Sequence, residues 1–265
     1  MCPKGWWQNK GGANMNFVYI MGTAGSGKSA LTSALADRLR VSEINVATVN
    51  LDPGVRWLPY SPEVDIRDYV NYDRMVEDYK LGPNGALVAC VDAAVNHVYE
   101  MRGELERLEP DYVLVDTPGQ MELFAYRDSG TFIASALSGG NFSTVFLADQ
   151  IFLNKPSDFV SVLLLSYSVH VRFRAPQVNC VSKIDLIPEE VLERARLWSS
   201  DSVTLKDAFL SETADLKTEI SERILDSLLD IGALGEFIFI SSNTGEGLDD
   251  LYAQLQRIHT GGIDV

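Results

Sequence analysis

The stretch GTAGSGKS, Gly22 to Ser29, directly follows the apolar run FVYIM (Phe17 to Met21) and runs straight into KSALTSALADRLR. It fits G-x-x-x-x-G-K-[ST]. A strand before it and a helix after it separate this pattern from a chance glycine-rich turn. Gly22, Gly25 and Gly27 let successive backbone N–H groups curl around phosphate oxygens, while Lys28 reaches the β- and γ-oxygens. The Ser29 hydroxyl suits Mg2+, and the helix N-terminus favours negative charge.

A strand tip that opens a helix calls for further strand and helix pairs. Apolar runs recur at Asn45 to Leu51, Tyr112 to Asp116, Thr144 to Asp149, Gln177 to Ser182 and Phe237 to Ser241. They are apolar throughout instead of alternating, as strands covered on both faces must be. The expected fold is α/β, a doubly wound and mostly parallel sheet of the P-loop NTPase type with helical insertions. Ala30, Leu31, Ala34, Leu35 and Leu39 read as the buried face of the first helix, and Leu248, Leu251, Leu255 and Ile258 as that of the last. The acidic, Leu-spaced segment at about 188–230 reads as two or three inserted helices. Residues 1–14 read as a flexible tail ahead of one domain at 15–265.

The formal net charge of −15 opposes attraction to nucleic-acid phosphates or an anionic membrane surface. No run approaches membrane-spanning length. Cys2, Cys90 and Cys180, like His97, His170 and His259, are too scattered for a zinc site. The expectation is a cytoplasmic protein with no direct nucleic-acid partner and no membrane partner.

Other motifs fall at strand ends. In DTPGQ, Asp116 ends its strand and suits Mg2+ through water, Gly119 can offer its N–H to a γ-phosphate, and Gln120 can orient water. SKID, Ser182 to Asp185, resembles the guanine-reading N-K-x-D: Asp185 would accept from both guanine donors while the Lys183 stem lines the ring. Ser182 replaces the Asn whose amide bridges neighbouring loops. In SSN, Ser241 to Asn243, a backbone N–H can meet guanine O6. Asp52 in VNLDPGV reads either as a turn residue or as an acid beside the γ-phosphate that serves the metal waters or polarises the attacking water. Gly82-Pro83-Asn84 by itself reads as a turn.

The ordered set GTAGSGKS, NLDPG, DIRDYV, LGPNGA, DTPGQMELF and SKID, across about residues 17–255, resembles the GPN-loop GTPases, and in particular their archaeal-type homodimeric members. The resemblance implies a Mg2+-dependent GTPase that converts GTP to GDP and acts as a homodimeric switch. The Gly-Pro-Asn loop, within a segment at about 71–86, would reach the partner's phosphates, with Asn84 donating there. It further implies nucleotide contacts from Gly22, Gly25, Ser26, Gly27, Lys28, Ser29, Ala30, Gly119, Lys183, Asp185, Ser241 and Asn243. Ser29, Asp52 and Asp116 would serve the metal, and Asp52, Gln120, Asn84 and Lys28 the chemistry. By analogy with eukaryotic relatives, a client such as RNA polymerase subunits is implied. The alternatives are a P-loop ATPase or kinase, or a nucleotide-binding assembly module with little turnover.

Overall fold

The structure, a computed structural model, describes residues 15–212, 218–230 and 237–260. The tail expected at 1–14 lies outside the described residues. The elements run β1 (Asn16–Gly22), α1 (Lys28–Val41), β2 (Val46–Asn50), β3 (Val64–Asp65), α2 (Tyr72–Tyr79), α3 (Pro83–Ala94), α4 (Val98–Leu108), β4 (Tyr112–Asp116) and α5 (Asp128–Ser138). They continue through β5 (Phe142–Asp149), α6 (Pro156–Phe173), β6 (Gln177–Ser182), α7 (Glu189–Ser200), α8 (Ser202–Glu212), α9 (Thr218–Asp230), β7 (Ile238–Phe239) and α10 (Leu248–His259).

The strands form one sheet in the order β3-β2-β4-β1-β5-β6-β7, and every neighbouring pair is parallel. β1 explains why the runs are apolar at every position. Phe17, Tyr19 and Met21 point into one hydrophobic core and Val18 and Ile20 into another. The second core is closed by Leu31, Leu35 and Leu39 of α1 and by Leu248, Leu251 and Leu255 of α10. Helices α3 to α8 contribute to the first. Both faces are dry, as in doubly wound sheets. β1 is central, with β2, β3 and β4 built out on one side and the chain crossing over after β4 to lay β5, β6 and β7 on the other, so the crevice at its carboxyl end is a switch point where ligands bind.

Two details differ from the sequence reading. The buried face of α1 is Lys28, Leu31, Thr32, Leu35, Ala36 and Leu39, whereas Ala30 is exposed and Ala34 half-buried. Lys28 sets this register: a helix that must turn its first residue inward buries positions three and four further on. Strand β3 was not anticipated, because two residues carry no period. It is held in line by Glu63, whose Oε2 accepts from the Thr48 N–H at 2.6 Å and from its hydroxyl at 2.7 Å.

The segment at 71–86 is a helix, a corner and a second helix. Asn71 caps α2 through the Arg74 N–H at 2.9 Å, and Lys80 closes it in the left-handed conformation at φ 52°. Gly82 is then the N-cap of α3 and Pro83 its first residue, where a missing N–H costs nothing. Gly82, Pro83 and Asn84 are all exposed. In the inserted segment, α7, α8 and α9 follow one another, and Trp198 of α7 lies 6.0 Å from the Phe159 ring of α6. The run Phe152 to Phe173 is mostly α6, which buries Phe159, Val160, Val162, Leu163, Val169 and Phe173.

Candidate active site

The phosphate cradle begins at Gly22. Its φ is 155°, and a Cβ there would sit 2.0 Å from the Leu147 carbonyl oxygen, so only glycine lets β1 press this closely on β5. Gly27 is the N-cap of α1 in the left-handed conformation and offers no side-chain cap, which leaves the first N–H groups of the helix for a ligand. The Thr23 and Ser26 hydroxyl oxygens are buried with no hydrogen-bond partner. Buried polar groups without partners are rare, and two in one glycine-rich loop fit an oxygen-rich ligand such as phosphate.

Lys28 is buried, and its ammonium donates to the carbonyls of Gly22 (3.2 Å), Thr23 (3.1 Å) and Gly119 (2.9 Å). Burial lowers its pKa, while the charges of Asp116, Asp52 and Glu122 pull it back up. The ammonium is thus already surrounded by oxygen acceptors of the kind that phosphate would supply.

Two acids converge from neighbouring strand tips. Asp116 is 1% exposed; burial pushes its pKa up to about 6, against the opposing effects of the Ser29 and Tyr60 hydroxyls and the Lys28 charge. Its Oδ2 accepts from the Tyr60 hydroxyl at 3.0 Å, whereas Oδ1 is buried without a hydrogen-bond partner. Asp52 lies on the turn after β2. Its Oδ1 accepts the Gly54 N–H at 2.9 Å and its Oδ2 the Gly119 N–H at 2.8 Å. The N–H expected to meet a γ-phosphate is therefore held by Asp52 here. Gln120 follows, exposed, at the start of a 3-10 turn. No group of three or more His, Cys, Asp or Glu among the described residues forms a metal cage. The unpartnered Asp116 oxygen beside Ser29 fits Mg2+, which commonly takes one or two protein ligands and the rest from phosphate and water.

The base side is built on β5, β6 and the turn after β7. Lys183 adopts φ 62° and sends its ammonium to the Gly25 carbonyl at 2.6 Å and to Asp149 Oδ2 at 2.6 Å. Its stem passes over the P-loop, with Cε 3.8 Å from where a Cβ on Gly27 would stand. The Ser182 hydroxyl reaches the Ser26 carbonyl at 2.7 Å and the Ala148 carbonyl at 3.0 Å, so Ser182 does tie β6 to the P-loop. Asp185 accepts from the Ser241 hydroxyl at 2.7 Å and from the Asn243 amide at 3.1 Å, and these bonds lower its pKa. The Ser241 N–H itself is engaged by the Glu246 carbonyl at 3.0 Å.

The structure thus gathers Lys28, Asp52, Asp116 and Gly119 around one end of the crevice and Lys183, Asp185, Ser241 and Asn243 around the other. Ala30 faces away on the exposed side of α1, and Asn84 is exposed at the head of α3. Sequence reasoning missed Tyr60 and Asp149, which hold Asp116 and Lys183. Asp149 carried the signal that singled out Asp116, an acid ending an apolar run. Tyr60 carried none.

Residues 20–261 match the family described as conserved hypothetical ATP binding proteins. A GPN-loop GTPase of Pyrococcus abyssi is 33% identical over 236 residues, 88% of this chain and 93% of that protein. The chain belongs to the GPN-loop GTPase family. GPN-loop GTPase 1 of Dictyostelium discoideum is 30% identical over 90% of this chain, which spans 60% of that longer protein. The crystal structure of the Pyrococcus GTPase in its apo form superposes with a TM-score of 0.81 at 32% identity, covering 94% of this chain and 99% of that one. The seven-stranded parallel sheet flanked by helices is thus the P-loop NTPase architecture of this family.

Proposed function

We propose that the GTPase activity of this chain depends on Mg2+ and serves a homodimeric switch, with Asn84 of each copy inserted near the phosphates of the other. Membership of the family and the exposure of Gly82, Pro83 and Asn84 support the homodimer and the inserted loop. The observation that carries the hydrolytic part is the clamp on Gly119. Its N–H lies on Asp52 and its carbonyl on Lys28, so a γ-phosphate that takes up both the Lys28 ammonium and the Gly119 N–H frees the Asp52 carboxylate beside it. Freed there, Asp52 accepts a proton from the attacking water, and Gln120 from the next loop orients that water. Ser29 and Asp116 would hold Mg2+, which when bound would supply neutralisation of the phosphate charge. Asp185, with both oxygens aligned by Ser241 and Asn243, accepts from N1–H and N2–H of guanine, a pair of donors that adenine lacks. Thr23 and Ser26 donate to the phosphates.

The switch acts in the cytoplasm on a protein client in complex assembly, RNA polymerase subunits being the client class. The net charge of −15 supports the absence of direct nucleic-acid binding. Among the described residues no helix is long and apolar enough to cross a membrane.

The test is phosphate release from GTP and, in parallel, from ATP with Mg2+, with oligomeric state recorded on wild type and Asn84→Ala. GTP-selective release from a dimer, slowed in the variant, is the expected result. Equal rates in the variant and in a monomer overturn the inserted loop, and release from ATP overturns the base assignment.

A further inference from the structure

The segment DIRDYV, Asp65 to Val70, lies on β3 and the turn after it, at the edge of the sheet beside β2, whose tip leads into the Asp52 turn. Its first and third residues reach back to the Asp52 turn. Asn50 is fully buried and holds the entrance of that turn twice: its Oδ1 accepts the Asp52 N–H at 3.0 Å and its Nδ2 donates to the Asp52 carbonyl at 3.2 Å. The same Nδ2 donates to Asp65 Oδ1 at 2.9 Å. Asp65 in turn grips Arg67, accepting its N–H at 2.9 Å, its Nε at 2.9 and 3.1 Å and a terminal nitrogen at 2.5 Å. The other terminal nitrogen of Arg67 donates to the Val55 carbonyl at 3.1 Å, at the exit of the turn. Asn50, Asp65 and Arg67 therefore bracket Asp52-Pro53-Gly54 at both ends.

Gly54 connects the bracket to a second element. A Cβ there would lie 2.6 Å from Leu87 Cδ2, so α3, which presents Asn84 at its head, rests directly on the turn.

We propose that Arg67, anchored by Asp65 and Asn50, is a positioning residue for hydrolysis: it fixes the backbone of the Asp52 turn, against which α3 also rests. The carboxylate can then leave Gly119 while the turn beneath it stays in place. The inference rests on the reading of Asp52 as the residue that positions water.

Arg67→Lys keeps a cation beside Asp65 but has no second arm for Val55. With the full chain, turnover of GTP and the dissociation constant of a fluorescent GTP analogue are measured for Arg67→Lys, Asp52→Asn and the double variant. Arg67→Lys lowers kcat about 10- to 100-fold, the size expected of a small misplacement. Its dissociation constant moves less than about 2-fold, the scatter of independent sites. In the Asp52→Asn background the second substitution changes kcat by less than about 2-fold, because the two act as a unit. Parallel losses of affinity and kcat, or equal losses in both backgrounds, overturn the proposal. An unchanged kcat in Arg67→Lys with a slow Asp52→Asn overturns it alone; an unchanged kcat in Asp52→Asn overturns the reading of Asp52 as well. If Arg67→Lys does not fold, Asp65→Asn, of the same shape, carries the same expectation and the same overturning results.

Discussion

The carboxylate of Asp52 accepts the backbone N–H of Gly119 at 2.8 Å, while the carbonyl of the same glycine accepts from Lys28 at 2.9 Å. The loops after β2 and β4 are thus tied to each other, and on the proposed function through the groups for which a γ-phosphate would compete. Such a tie is a two-state element whose balance a ligand can shift.

Asp52→Asn tests the acid. The amide oxygen can accept from only one of the Gly54 and Gly119 N–H groups that the two carboxylate oxygens hold, and the NH2 faces the other, so the fold is expected to hold with a melting temperature a few degrees lower. A group that takes the proton of the attacking water contributes about 10²- to 10⁴-fold, and kcat is expected to fall by that amount. Single-turnover phosphate release, with nucleotide affinity measured alongside, separates this from a binding defect.

Asp185→Asn tests the base pocket. The Ser241 and Asn243 donors would face an amide in place of a carboxylate, and guanine N1–H and N2–H would meet a mixed donor and acceptor. GTP affinity is expected to fall by at least about 10-fold, the cost of one buried polar group left unsatisfied being about 1–3 kcal/mol. Xanthosine triphosphate should be spared; competition binding with both nucleotides decides.

Ser182→Ala removes the hydroxyl that reaches the Ser26 and Ala148 carbonyls from a fully enclosed position. Stability is expected to drop by about 1–3 kcal/mol, since the one hydroxyl proton shared between two buried carbonyls is lost. Urea unfolding reads the loss, and GTP affinity should weaken with it, because the Ser26 peptide belongs to the phosphate cradle.

Asp116 gives the pH dependence. Its pKa is raised to about 6 in the folded protein, so between the ordinary carboxylate value and 6 the folded state binds more protons than the unfolded one. Stability of the nucleotide-free protein therefore falls as pH rises through this window, and the penalty persists at pH 7. Two units correspond to about 3 kcal/mol. Asp116→Asn, which carries no charge to desolvate, should melt higher than wild type at pH 7.5, approach it near pH 4, and hydrolyse GTP poorly. Calorimetry at the two pH values checks the sign.

The local sequence was sufficient for the phosphate cradle, the strand set and the order of the motifs. Gly22 is demanded by a Leu147 carbonyl that leaves no room for a Cβ, and the β1 and β5 runs are apolar because both faces of a parallel sheet are covered; both leave a mark in consecutive residues. The contacts that orient the site join positions far apart in the chain. Tyr60 and Asp116 are 56 residues apart, Asp149 and Lys183 are 34 apart, and the carboxylate that holds Gly119 comes from 67 residues away. No period or spacing encodes such pairs; they exist because parallel strand order brings the tips of β2, β4, β5 and β6 to one edge. The same holds for α1, where the sequence offered a plausible face through Ala30 and Ala34, and the inward turn of Lys28 selected Thr32 and Ala36 instead. Residue chemistry decided which ligand the edge can hold, and only the tertiary fold decided which side chains hold one another in place to receive it.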